Sequence, residues 1–395
     1  MRALVTGGGG FIGGYIVEKL VRRKDQVRVL GRRKYPELLK SGVEIIQGDI
    51  RHKPTVEAAC QGMDCVFHVA ALTGIWGPWD EFYQTNVAGT QNVISACQKQ
   101  GVSSLVYTSS PSVVYDQHDQ INLDETTPYP AKYLCPYPET KAIAERMVLQ
   151  ANGQGKLKTT ALRPHLVWGP GDTNLIPRLL DRARKGKLMM VGAGTNKVDL
   201  TYVENVADAH LLAADRLMMD AGRQVAADKQ VDAADRLVSA EGMGDAADSL
   251  ASAEGLGDAA DRLTLTSSLS LTSVSGVTGV AGTTDVDGVA GEAFFICQGE
   301  PVLLWPWINQ FLERMGIPGI RKSISLTAAK RIGWAMETCY RIFRLKGEPV
   351  MTRFLASQLG TSHYFDISKA KKRLLYVPSI SMAEGMDRLV EFYSR

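Results

Sequence analysis

The sequence has no run of about 18 uncharged apolar residues, so no membrane-crossing helix is expected. Its six cysteines (Cys60, Cys65, Cys97, Cys135, Cys297, Cys339) form no CxxC pair and have no histidine cluster nearby. They read as reduced, mostly structural thiols, and no metal site is suggested. There is no lysine/arginine block with interleaved aromatics, and a formal net charge of +3 is too small to imply a nucleic-acid partner. Met1-Arg-Ala-Leu-Val5 runs straight into Thr6 and a glycine run, without the basic and apolar regions of a signal peptide. A cytoplasmic protein is therefore expected.

One stretch, residues 217–292, has no aromatic residue at all. Within it Asp232-Ala-Ala-Asp235 recurs as Asp245-Ala-Ala-Asp248 and Asp258-Ala-Ala-Asp261, and a Ser/Thr/Gly/Val tract follows from Thr264 to Gly291. Such a composition buries little surface against the entropy of ordering it, so it reads as a low-complexity, flexible insertion.

What remains is ordinary globular material: 395 residues, 45% hydrophobic and 22% charged, enough for one large domain or two unequal ones. Ala3–Val5, Val27–Leu30, Val43–Ile46, Cys65–Phe67 and Leu105–Tyr107 are short apolar runs that read as strands. Helical patterns at Phe11–Arg23, Thr55–Cys60 and Thr85–Gln100 separate them. This alternation predicts an α/β, doubly wound parallel sheet of the Rossmann type over residues 1–170. Residues 171–216 and 293–395 read as a smaller α+β, substrate-binding region over the carboxyl ends of the strands, with Ala293–Ile296 a further strand.

Thr6-Gly-Gly-Gly-Gly-Phe-Ile-Gly13 follows the first strand and opens the first helix. Gly7, Gly10 and Gly13 are spaced for a tight turn, close approach to a pyrophosphate, and close helix packing. At the end of the second strand, where a site selecting NAD carries a carboxylate, stands Gly31, followed by Arg32 and Arg33. A guanidinium suits a 2′-phosphate, so NADP(H) is favoured and NAD(H) also admitted. Asp49 reads either as an adenine-edge contact or as a strand-end cap.

Tyr137 and Lys141, four residues apart at the start of a helix, share one face. A phenol is a poor acid/base at neutral pH, and a nearby ammonium favours its ionised form. A hydroxyl from Tyr107-Thr-Ser-Ser-Pro111 would hold the substrate oxygen; Ser110 is preferred for that role over Ser109.

These motifs, with Asn86-Val-Ala-Gly-Thr90, Leu162-Arg-Pro164 and Tyr202–His210, resemble the extended short-chain dehydrogenase/reductase superfamily and, within it, the 3β-hydroxysteroid dehydrogenase family. A closer resemblance, through Tyr35–Leu38, Trp168–Asp172, Asn196–Asp199, Gly299–Pro301 and Thr352–Leu355, is to bacterial 2-alkyl-3-oxoalkanoate reductases of olefin biosynthesis. The resemblance implies Tyr137 as acid/base, Lys141 as its activator and ribose ligand, and Ser110 as the third member. It also implies Asn86 as a support and Pro164 beside the nicotinamide. The full cofactor set expected is Gly7, Gly10, Phe11, Ile12, Gly13, Arg32, Arg33, Asp49, Ile50, Ala70, Ala71, Asn86, Tyr137, Lys141 and Pro164.

The activity implied is interconversion of a secondary alcohol and a ketone on a bulky apolar small molecule. Reduction of a 2-alkyl-3-oxo fatty acid is preferred. A 3β-hydroxysteroid or sterol dehydrogenase, and a non-catalytic NADP(H)-binding sensor or scaffold, are the alternatives. Ser325–Lys346 is a helical stretch of apolar bulk with basic residues. It reads as packing on its own domain, covering a lipid-like substrate, or touching a membrane periphery. A homodimer is left open, and His165 is read as mostly structural.

Overall fold

The computed structural model describes residues 1–220 and 288–395, so the Asp-Ala-Ala-Asp repeats lie outside the described residues. Short apolar runs covered on both faces form parallel strands. Seven of them build the main sheet: β1 (Arg2–Thr6), β2 (Gln26–Gly31), β3 (Glu44–Gln47), β4 (Cys65–His68), β5 (Ser104–Thr108), β6 (Lys158–Pro164) and β7 (Glu292–Ile296). All pair in parallel, in the order β3-β2-β1-β4-β5-β6-β7. The order reverses between β1 and β4, the switch point at which doubly wound sheets bind ligands.

Alternation along each strand sends neighbours to opposite layers. Val5 and Phe67 pack with Ile16, Val17 and Leu20 of the helix Phe11–Arg22, while Leu4, Val66 and Leu105 pack with Val93, Ala96 and Cys97 of the helix Gly89–Gln100. The latter helix is entered through Trp79–Phe82 and a π turn at Tyr83–Ala88, so the helical region begins earlier than the expected Thr85.

The sheet outruns the boundaries read from the sequence. Ala293–Ile296, assigned there to the substrate region, is part of its edge strand; Phe294, Phe295 and Ile296 are fully buried. A helix over 203–220 lays Ala207, Ala213, Ala214 and Leu217 into the same core as Val5. Leu217 and Val289, taken from the sequence as ends of the insertion, are core residues, and Val289 N–H donates to Asp220 Oδ2 at 3.3 Å. The physical reason is pairing at long range, which no local pattern discloses: Thr160 Oγ1 donates to the Glu292 carbonyl across 132 residues.

A third core, around Trp168, Tyr202, Trp305, Trp307 and Phe311, belongs to the C-terminal region. A small four-stranded sheet there joins Gln120–Leu123 and His363–Phe365 to Lys197–Val198 and Val302–Leu303. No described helix is long and apolar enough to cross a membrane. All six cysteines are free thiols, five of them buried and Cys339 exposed.

Candidate active site

The glycine turn is closed to side chains. A Cβ on Gly13 would stand 2.3 Å from the Gly7 carbonyl oxygen, and one on Gly7 (φ +72°) would stand 3.0 Å from the Ala70 backbone. Only glycine permits this approach of helix to strand, and the N–H groups at the helix start are left facing the switch point. Phe11 and Ile12 open that helix, and Ala70 and Ala71 follow β4. The Ala70 N–H donates to Thr6 Oγ1 at 3.2 Å.

At the end of β2, Arg32 and Arg33 are exposed. A residue that sequence reasoning passed over lies beside them. The Tyr35 ring fits between two glycines: a Cβ on Gly31 would be 2.6 Å from its hydroxyl, and a Cβ on Gly9 would be 1.9 Å from Cε1. A phenol thus takes the place where a carboxylate on β2 would stand. Asp49 is paired with Arg51 at 2.8 Å, and this hydrogen bond holds its carboxyl below the usual range. Ile50 is buried, its side chain packed against Gly89.

Tyr137 lies in the first turn of the helix Pro136–Gln150, which begins with proline at a position where no N–H is missed. Burial pushes its phenol up to about 12, against the pull of the nearby Ser110 hydroxyl. Ser110 Oγ shares a 2.9 Å hydrogen bond with Ser112 Oγ. Ser109 Oγ is buried on the Glu145 side, without a hydrogen-bond partner among the described residues. The strand end therefore brings Ser110, and not Ser109, to the phenol.

Lys141 is buried, and burial draws its ammonium down to about 7, with the nearby Glu145 charge opposing. Its Nζ donates to the Thr108 carbonyl oxygen at 2.5 Å and stands 4.1 Å from the Tyr107 ring centroid. The phenol, expected to be lowered by the ammonium, stands above its ordinary value. Burial of Tyr137 dominates, and Lys141 is directed at a carbonyl.

A chain of hydrogen bonds runs from the glycine turn to the Tyr137 helix. Thr6 Oγ1 meets His68 Nδ1 at 2.8 Å, His68 Nε2 meets Thr90 Oγ1 at 2.9 Å, and Thr90 Oγ1 donates to the Asn86 carbonyl at 2.6 Å. Asn86 Nδ2 then donates to Thr140 Oγ1 at 3.1 Å and to the Leu72 carbonyl at 3.0 Å, while its Oδ1 accepts from the Leu72 N–H. Both side-chain donors of Asn86, expected among the cofactor contacts, are thus committed within the protein, and it ties a loop to the helix. Burial, reinforced by the Lys141 charge, lowers His68 to about 3, so the ring is neutral. With Thr90 donating onward, His68 Nε2 donates to it and Nδ1 accepts from Thr6.

Further support comes from residues the motifs did not single out. His210 Nδ1 donates to the Val206 carbonyl at 2.7 Å, which leaves Nε2 to accept from the Thr108 hydroxyl at 2.7 Å. Beneath the site, Arg163 and Glu145 form a buried ion pair at 2.6 Å, and the Tyr129 hydroxyl donates to the same carboxylate at 2.6 Å. Burial is the largest influence and works to raise Glu145, but the Arg163 charge and the hydrogen bonds to the carboxylate together outweigh it and hold the carboxyl below its ordinary value. Pro164 closes β6; His165, next along, is buried against His363 at 2.6 Å, a structural placement. Only the side-chain alternation of Leu162-Arg-Pro164 hinted at an inward-facing Arg163.

Known proteins share much of this sequence and its fold. The description "3-beta hydroxysteroid dehydrogenase/isomerase family" matches residues 4–231. The chain is 39% identical over 392 residues to the 2-alkyl-3-oxoalkanoate reductase of Stenotrophomonas maltophilia (strain K279a), covering 98% of each chain. It is 32% identical over 416 residues to the 3beta-hydroxysteroid-dehydrogenase/decarboxylase isoform 1 of Arabidopsis thaliana, covering 99% of this chain and 79% of that one. Among solved structures, MoeE5 in complex with UDP-glucose and NAD shares the fold, with a TM-score of 0.64 at 22% identity over 100% of this chain and 99% of the other. On the match over residues 4–231 and the likeness along nearly its whole length, the chain belongs to the 3-beta hydroxysteroid dehydrogenase/isomerase family and is a nicotinamide-dependent oxidoreductase.

Proposed function

We propose that this enzyme reduces the keto group of a bulky apolar substrate, a 2-alkyl-3-oxo fatty acid, with NADP(H). The observation that carries the chemistry is the nearness of the Ser110 hydroxyl to the Tyr137 phenol, whose pKa burial raises to about 12. A protonated phenol is an acid, which suits a ketone that must gain a proton on oxygen. The substrate class is supported by the likeness to the Stenotrophomonas maltophilia reductase.

The residues present fit a nicotinamide dinucleotide. The turn at Gly7, Gly10 and Gly13 would hold its pyrophosphate, Arg32 and Arg33 a 2′-phosphate, and Lys141 the nicotinamide ribose. When bound in reduced form, that cofactor supplies a hydride to the carbonyl carbon. Ser110 holds the carbonyl oxygen, and Tyr137 Oη transfers its proton to that oxygen as the C=O bond becomes a C–OH bond. Lys141 and the Thr108 carbonyl keep the floor of the site fixed, and a charged Lys141 stabilises the phenolate left behind. Preference for NADP(H) over NAD(H) follows from the phenol of Tyr35 and the two arginines, with no carboxylate on β2.

The likeness to the Arabidopsis thaliana enzyme supports a second reading, oxidation of a 3β-hydroxysteroid. Turnover of NADPH and NADH on a 2-alkyl-3-oxo acid and on a 3-oxosteroid separates the two. The expected result is NADPH oxidation with the keto acid. Activity confined to the steroid would overturn the substrate assignment.

A further inference from the structure

The helix Leu326–Ile342 packs by its small side. Its buried stripe is Ala329, Gly333 and Glu337. A Cβ on Gly333 would stand 2.6 Å from the Thr352 carbonyl carbon, and Glu337 is ion-paired with Arg353 at 2.7 Å. The large apolar residues face outward. Ile332 is 45% exposed, Trp334 57%, Ile342 and Phe343 each 69%, and Leu345 just beyond the helix 49%. Five large apolar residues exposed within one short segment mark it as a candidate contact surface.

Five cations share this segment: Lys330, Arg331, Arg341, Arg344 and Lys346. The neighbouring carboxylates are committed elsewhere, Glu337 to Arg353 and Glu348 to Arg178. The patch also reaches toward the site. Trp76, on the loop after β4, meets Tyr340 edge-on with ring centroids 6.1 Å apart, and the Arg341 guanidinium lies 5.4 Å from its ring. The adjacent Ile75 packs with Tyr115, Leu134, Cys135 and Phe354, and Cys135 immediately precedes the helix that carries Tyr137.

We propose that this helix face docks on an anionic lipid bilayer and that a bulky apolar substrate passes from there to Tyr137. The passage rests on the substrate reading above; the docking does not. The mixture of cations with Trp, Phe and Ile is what favours a bilayer. Interface cores between proteins are depleted of charge, whereas a surface helix at a bilayer buries its apolar residues among acyl chains and sets cations against anionic headgroups.

The test mixes the full-length protein with vesicles of phosphatidylcholine, with and without phosphatidylglycerol, and reads the bound fraction by sedimentation. Binding is expected to the anionic vesicles, at least ~10-fold stronger than to the neutral ones and weakened by salt. The pair Arg344→Glu with Lys346→Glu, and separately Trp334→Ser with Phe343→Ser, should each weaken it by ~10-fold or more. Circular dichroism and turnover of a short, dispersed keto acid should stay unchanged in both. No vesicle binding, equal binding by the variants, or capture of a protein partner while vesicles stay unbound would overturn the docking. Vesicle binding without turnover of any 2-alkyl-3-oxo acid would instead leave the docking standing and remove the substrate reading.

Discussion

Lys141 donates its ammonium to the Thr108 carbonyl at 2.5 Å, while the Thr108 hydroxyl is held by His210 at 2.7 Å. The activating lysine is therefore positioned by the strand end on one side and by a histidine from the helix over 203–220 on the other.

That position has a signature in stability. The native Lys141 value near 7 lies below the unfolded value of about 10.4. Between them the unfolded chain holds more protons, so this group makes stability rise with pH across that window. Lys141→Met removes the titration. The stability of the native sequence relative to Lys141→Met should therefore rise from pH 7 to pH 10 in denaturant melts; a constant difference would contradict the assignment.

Ser110 and Ser109 should separate cleanly. Ser110→Ala is expected to lower kcat roughly a hundredfold, as loss of one donor to a developing oxyanion does, with cofactor affinity unchanged. Ser109→Ala should act mainly on stability, since its neighbour is Glu145. Equal kinetic losses in both would oppose this division.

The buried pair under the site should be costly to break from one side. Arg163→Met strands the Glu145 charge and should destabilise by about 3–5 kcal/mol, whereas the double variant with Glu145→Met recovers much of that loss. Urea midpoints of the four proteins in the cycle measure it, and simple additivity would contradict the pairing.

Cofactor choice should depend on Gly31 and Tyr35 together. Gly31→Asp sets a carboxylate against the Tyr35 ring and near the 2′-phosphate, so NADPH affinity should fall at least ~10-fold. NADH affinity should improve only when Tyr35→Ala is added. Calorimetric titration with each dinucleotide reads this without turnover, and a gain for NADH in Gly31→Asp alone would show that Tyr35 does not obstruct.

Much of this was legible in the sequence because it is local. The glycine turn, the first five strands and the Tyr137/Lys141 spacing each fit within a dozen residues. What escaped reading depends on contacts between distant segments. β7 finds β6 across the unread stretch, Tyr35 matters through Gly9 and Gly31, and Arg163 matters through Glu145. The helix Leu326–Ile342 shows the same limit. Its periodicity marks a helix, but only its neighbours reveal that the small stripe is buried and that Trp334 and Phe343 are exposed.

The central claim is that Tyr137 gives its phenolic proton to the substrate oxygen, and Tyr137→Phe tests it most directly. NADPH affinity by titration and single-turnover reduction of a 2-alkyl-3-oxo acid are measured on the same protein. The account predicts nearly unchanged NADPH affinity and loss of turnover. Turnover close to that of the native sequence, with NADPH bound, would contradict it.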